Sequence, residues 1–107
     1  MVQQLSPQEL KERLARADAA PLVLDVREDS EREICALPDS THIPMGRIPE
    51  RLDELDRNRE IVVQCHHGIR SMQVALYLER QGFTNVYNLD GGIDAWANEI
   101  DPSMATY

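Results

Sequence analysis

The chain has 107 residues, 42% hydrophobic and 28% charged, with 19 acidic against 11 basic side chains and a net charge of −8. That length supports one small domain over residues 1 to 107 and excludes a second. No apolar run approaches the roughly 18 residues of a membrane span, and the acidity argues against nucleic acid or an anionic membrane as a partner, since both attract basic surfaces.

In chain order, Met1 to Ser6 has neither a basic nor an apolar leader pattern, which predicts a cytoplasmic protein. Ser6-Pro7-Gln8-Glu9 combines an N-cap serine, proline at the first helical position and glutamate three residues after the cap. The helix that follows carries Leu10 and Leu14 on one face and fades over Ala17 to Ala20. Pro21 to Val26 is a short apolar run with two valines, predicted as a buried strand with Asp25 and Arg27 at its carboxyl end. Glu28 to Glu33 predicts a short surface helix, Leu37 to Met45 with Pro38 and Pro44 a loop, and Pro49 to Leu55 another short helix. Ile61 to Gln64 is the next strand. Ser71 to Gln81 is a helix with Val74, Ala75 and Leu78 inward, stopped by Gly82. Val86 to Leu89 is the last strand, followed by Asp90-Gly91-Gly92 and a short helix through Trp96. Strands alternating with helices predict an α/β fold with a mainly parallel central sheet flanked by helices.

In such sheets ligands collect outside the carboxyl ends of the strands, and Cys65 stands there, directly after Ile61 to Gln64. The following residues, His66 to Arg70, form a turn in which Gly68 is free to take dihedrals closed to other residues, with a helix N-terminus beyond it. From Ile61 through Leu78 there is no aspartate or glutamate, and Arg70 is the one fixed charge. A helix N-terminus and an adjacent arginine both favour a thiolate. Two cysteines in a cytoplasmic chain are expected as thiols rather than a disulfide.

Asp25-Val26-Arg27, the loop Cys65 to Ser71, and Leu89-Asp90-Gly91-Gly92-Ile93 with Trp96 resemble, in order and spacing, the rhodanese (sulfurtransferase) family over nearly the whole chain. The resemblance implies a rhodanese-like fold and a nucleophilic Cys65 that carries a sulfane sulfur as a persulfide. The backbone amides of His66, His67, Gly68, Ile69 and Arg70 would bind that sulfur, with Ser71 completing the substrate loop. Arg70 would close the loop and attract an anionic donor such as thiosulfate, while Asp25 and Arg27 would support the loop structurally. The acceptor would be cyanide, a thiol or a sulfur-carrier protein. No cofactor or metal is implied.

Six residues from Cys65 to Arg70 match the sulfurtransferase loop, whereas the phosphatase branch of the fold resembles a loop one residue longer that accommodates phosphate. A phosphatase and a non-catalytic binding module are therefore the competing readings. Cys35, between Ile34 and Ala36, reads as a small core hydrophobe with no basic neighbour in its own loop, with resolution of the persulfide as its alternative role. His66 and His67 are adjacent, so their side chains are expected to diverge, and no zinc-type ligand pair accompanies them. His42 reads as surface loop and Trp96 as a core anchor. The glycine-histidine-isoleucine segment of many family members is not evident at Ile34 to Pro38, and the stretch from Trp96 to Tyr107 resembles rhodanese domains fused to adenylyltransferases of sulfur-carrier pathways.

Overall fold

The computed structural model describes residues 1–16 and 18–107. Five strands form one sheet: β1 (Gln3–Leu5), β2 (Leu22–Asp25), β3 (Thr41–His42), β4 (Ile61–Gln64) and β5 (Val86–Leu89), in the order β1-β5-β4-β2-β3. Every pairing is parallel. Four α-helices alternate with them: α1 (Pro7–Leu14), α2 (Asp29–Ile34), α3 (Ile69–Arg80) and α4 (Gly92–Glu99).

The two-residue strand period sorts side chains onto two faces. Leu24, Ile61, Val63 and Val86 pack with Val74, Ala75 and Leu78 of α3 on one side. Leu5, Val23, Val62 and Leu89 pack with Leu10 of α1 and Ile93 and Trp96 of α4 on the other. Central β4 is buried at all four positions, which is why it reads as an uninterrupted apolar run ending in Gln64. Its carboxyl end therefore lies in the middle of the sheet edge, flanked by α3 and α4.

The capping box at Ser6 forms as its sequence dictates: Glu9 N–H donates to Ser6 Oγ at 3.1 Å and Ser6 N–H to Glu9 Oε1 at 3.0 Å. The helix it opens ends at Leu14, earlier than predicted, and Ala17 lies outside the described residues. Strands β1 and β3 were not expected. Both are too short to show alternation, and each exists through a partner remote in sequence, β5 and β2. Pro49–Glu54 is 3₁₀ rather than α, with Arg51 leaving helical geometry. Among the described residues, no helix is long and apolar enough to cross a membrane.

Candidate active site

Cys65 follows β4 directly and is 1% exposed, at the floor of the turn that leads into α3. Gly68 turns the chain at φ +103°, a left-handed conformation that L side chains avoid, and brings its N–H to 3.1 Å from Cys65 Sγ. Ser71 N–H, inside the first turn of α3, approaches the same sulfur at 3.4 Å. Burial opposes ionisation of this thiol, but hydrogen bonding from Ser71, Gly68 and His67 outweighs it, so the Cys65 pKa lies below the ordinary thiol value. Helix α3 therefore starts at Ile69, two residues earlier than predicted, because Gly68 supplies the cap and the next amides already point inward.

The turn is clamped from behind by α4. Ile93 N–H donates to the Cys65 carbonyl at 2.9 Å and Asp94 N–H to the His66 carbonyl at 3.1 Å. Gly92, at φ +64°, makes this approach possible: a Cβ there would lie 2.6 Å from the Cys65 carbonyl oxygen. The Gly91-Gly92 signal in the sequence thus marks a close backbone approach as well as a helix start.

Arg70 does not stand free beside the thiol. Its guanidinium grips Glu31 of α2 through two bonds of 2.6 and 2.8 Å. This fork holds the Glu31 carboxyl far below the usual carboxylate range against a smaller opposing effect of burial, with a further bond from the Tyr107 hydroxyl. The Arg70 guanidinium is held more firmly protonated in turn, first by Glu31 and more weakly by Cys65.

Asp25 and Arg27 are both fully buried and joined by a fork, Nε to Oδ1 at 3.0 Å and Nη2 to Oδ2 at 2.8 Å. Burial pushes the Asp25 carboxyl up, and its bonds with Arg27 overcome this, leaving it below its ordinary pKa. The remaining Arg27 donors reach the Glu31 and Cys35 carbonyls at 3.2 and 2.6 Å, and the Tyr107 hydroxyl at 3.1 Å. Every charge in the pair is thereby satisfied, as burial demands.

Three expectations need correction. Cys35 does have a basic neighbour from outside its own loop, since Arg27 Nη1 lies 3.8 Å from its sulfur, and it is only partly buried. The rings of His66 and His67 do not diverge; their centroids are 3.8 Å apart, and His66 is sandwiched against Tyr107 at 3.9 Å. Asp94 joins them, and the ligand atoms of the three lie within 4.8 Å of one another. His42 is not surface loop: it belongs to β3, is partly buried, and bonds the Arg27 carbonyl through Nε2 at 2.7 Å. Ile43 behind it is fully buried, so a histidine-isoleucine step is present after all, at His42-Ile43 and downstream of Ile34 to Pro38.

Sequence reasoning missed Glu31, Asn88 and Tyr107 as neighbours of the site. Ile69 was expected to serve through its amide, and its side chain is 73% exposed at the rim. Trp96 is a core residue of the α4 face, as read.

The family model for a rhodanese-like domain matches residues 6–99. The protein YtwF of Bacillus subtilis is 43% identical over 94% of this chain and 96% of its own length. A protein of Allochromatium vinosum named sulfurtransferase is 38% identical over 98% of this chain and 97% of its own. Thiosulfate sulfurtransferase GlpE of Pseudomonas syringae is 37% identical over 77% of each. Among solved structures, a rhodanese-like domain protein from Staphylococcus aureus superposes with a TM-score of 0.85 at 30% identity, covering 99% of both chains.

Proposed function

Because this chain belongs to the rhodanese-like family and is a sulfurtransferase of the rhodanese type, we propose that Cys65 is its nucleophile and that it works by double displacement through a Cys65 persulfide. The observation that supports this reading is the placement of Cys65 Sγ, buried and met by the N–H groups of Gly68 and Ser71 at 3.1 and 3.4 Å. Donors so placed stabilise a thiolate before reaction and the anionic terminal sulfur after it.

With thiosulfate as donor, the Cys65 thiolate attacks the outer sulfur, the sulfur–sulfur bond breaks, and sulfite leaves with the bonding pair. The persulfide anion remains in the turn. An acceptor nucleophile, such as cyanide, a small thiol or a thiol of a sulfur-carrier protein, then attacks that outer sulfur and returns Cys65 to a thiolate. Sulfur moves by substitution at sulfur throughout, so the scheme calls on no cofactor. The α3 N-terminus supplies positive potential for an anionic donor in an otherwise acidic chain, with a smaller contribution from Arg70, whose charge Glu31 largely offsets. The name of the Pseudomonas relative favours thiosulfate among donors. Exposed His67 and Ile69 at the rim give a protein acceptor something to contact. This reading belongs in the cytoplasm, where thiols are kept reduced.

Incubation with thiosulfate should add one sulfur atom to the peptide carrying Cys65, and cyanide should then release thiocyanate with turnover. Cys65→Ser should lose the adduct and about 10³-fold or more of the turnover. Aryl phosphates should be hydrolysed far more slowly than sulfur is transferred. Sulfur on Cys35, or brisk phosphate hydrolysis without sulfur transfer, would overturn the reading.

A further inference from the structure

Asn88 lies on β5, 1% exposed, beneath the turn that holds Cys65. Its Nδ2 donates to the Gly68 carbonyl at 3.2 Å and to Gln4 Oε1 of β1 at 3.0 Å. A carbonyl only accepts, so the Asn88 atom facing Gly68 must be nitrogen; this orients the amide and leaves Oδ1 facing Ser71. Ser71 Oγ, itself fully buried, donates to that Oδ1 at 2.5 Å. One side chain therefore anchors two of the residues whose N–H groups meet the Cys65 sulfur, Gly68 and Ser71.

The anchoring acts on the donors themselves. Gly68 adopts φ +103°, where its carbonyl points down to Asn88 and its N–H points to the sulfur. Held by its hydroxyl, Ser71 keeps its own N–H in line with the same atom. Without Asn88, the Gly68 carbonyl would keep only the Met72 N–H of α3 at 3.3 Å, and the turn would lose its side-chain tie to β5.

We propose that Asn88 is a positioning residue for sulfur transfer: its side-chain amide, bonded at once to the Gly68 carbonyl and the Ser71 hydroxyl, holds their N–H groups on the Cys65 thiolate and persulfide. The inference rests on the reading of Cys65 as the nucleophile, yet it concerns the thiolate itself, which exists whether or not sulfur is transferred. The thiol's lowered pKa, to which the Ser71 and Gly68 amides contribute against burial, is in keeping with it.

Site-resolved alkylation of Cys65 by iodoacetamide across pH tests the proposal in the intact chain. Asn88→Leu keeps the volume and loses both anchors; Asn88→Asp keeps an acceptor for Ser71, loses the donor to Gly68 and adds negative charge. Both should raise the apparent thiol pKa and slow alkylation at pH 7 by about tenfold, with kcat falling and the donor KM little changed. Gln4→Ala removes the other Asn88 partner and should lower the melting temperature without moving the alkylation profile. In the parent, the Asn88 side-chain amide protons should exchange slowly, along with the Gly68 and Ser71 amides. An unmoved alkylation profile in a folded Asn88 variant, a shift in Gln4→Ala equal to that of Asn88→Leu, or rapid exchange of the Asn88 amide would each overturn the role. If alkylation shifts as expected but no sulfur is transferred by the parent, the positioning stands and the sulfurtransferase mechanism falls.

Discussion

At the scale of single residues, the pairing of Arg70 with Glu31 changes what Arg70 contributes. A guanidinium gripping a carboxylate at 2.6 and 2.8 Å projects much less positive field than a free one. Arg70→Ala therefore does two things: it removes a cation and leaves the Glu31 carboxylate without its guanidinium partner. We expect Arg70→Ala to lose about 10- to 100-fold in kcat/KM and to raise the Cys65 pKa. The double variant Arg70→Ala with Glu31→Gln should recover part of both losses, because the stranded negative charge is gone. A double variant no better than Arg70→Ala, measured by steady-state kinetics and alkylation, would show that the lost cation alone matters. Cys35 sits outside this exchange. Its sulfur accepts from Arg27 at 3.8 Å, a contact that Cys35→Ser preserves in kind.

Between elements, the site depends on how closely α4 approaches the end of β4. The contact is backbone to backbone, Ile93 to Cys65 and Asp94 to His66, and only a residue without Cβ fits at position 92. Gly92→Ala has to push the Cys65 turn away or give up the left-handed φ, at a cost of roughly 2 kcal/mol or more. For a domain of this size that corresponds to a melting temperature lower by about 8 °C or more, which a thermal scan reads directly. Cys65 alkylation should slow as well, since the displaced turn loses its aim. Gly46 gives a built-in contrast: a Cβ there meets nothing within 4 Å, so Gly46→Ala should melt near the parent temperature. If both substitutions prove equally mild, the tight seam between α4 and the turn is not what holds the site.

For the whole molecule, acid is the condition that opposes this design. Asp25 and Glu31 both have depressed pKa values in the folded chain, Asp25 despite burial and Glu31 chiefly through Arg70. An unfolded carboxylate takes up its proton near about pH 4, before the folded one does. The unfolded state then binds more protons, so stability is fully present above that pH and is lost as pH falls toward the folded values. Denaturant midpoints should fall steeply below about pH 4, and Glu31→Gln should make that fall shallower by about one bound proton. The Cys65 thiol acts with the same sign at the other end: stability should increase as pH rises toward about 8.5, and this gain should be missing in Cys65→Ser. A pH profile unchanged by Glu31→Gln would mean that its pairing with Arg70 does not distinguish folded from unfolded chains.

What the sequence determined by itself is the part carried by near neighbours. The alternation of strands and helices, the box at Ser6, the apolar run ending at Gln64, the six-residue turn from Cys65 to Arg70 and the paired glycines before α4 are each legible within a few residues, because periodicity, caps and turn dihedrals are local. These were enough to mark Cys65 and its turn. Tertiary structure decided everything that depends on strand order. Placing β5 beside β4 puts Asn88 under Ser71, 17 residues away in the chain. The partner of Arg70 is Glu31, 39 residues away, and the tail brings Tyr107 to Arg27 across 80. β1 and β3 exist only through such long-range pairing. A buried arginine, amide or carbonyl takes whichever complementary group the packed sheet delivers to it, and no local pattern encodes which group that will be.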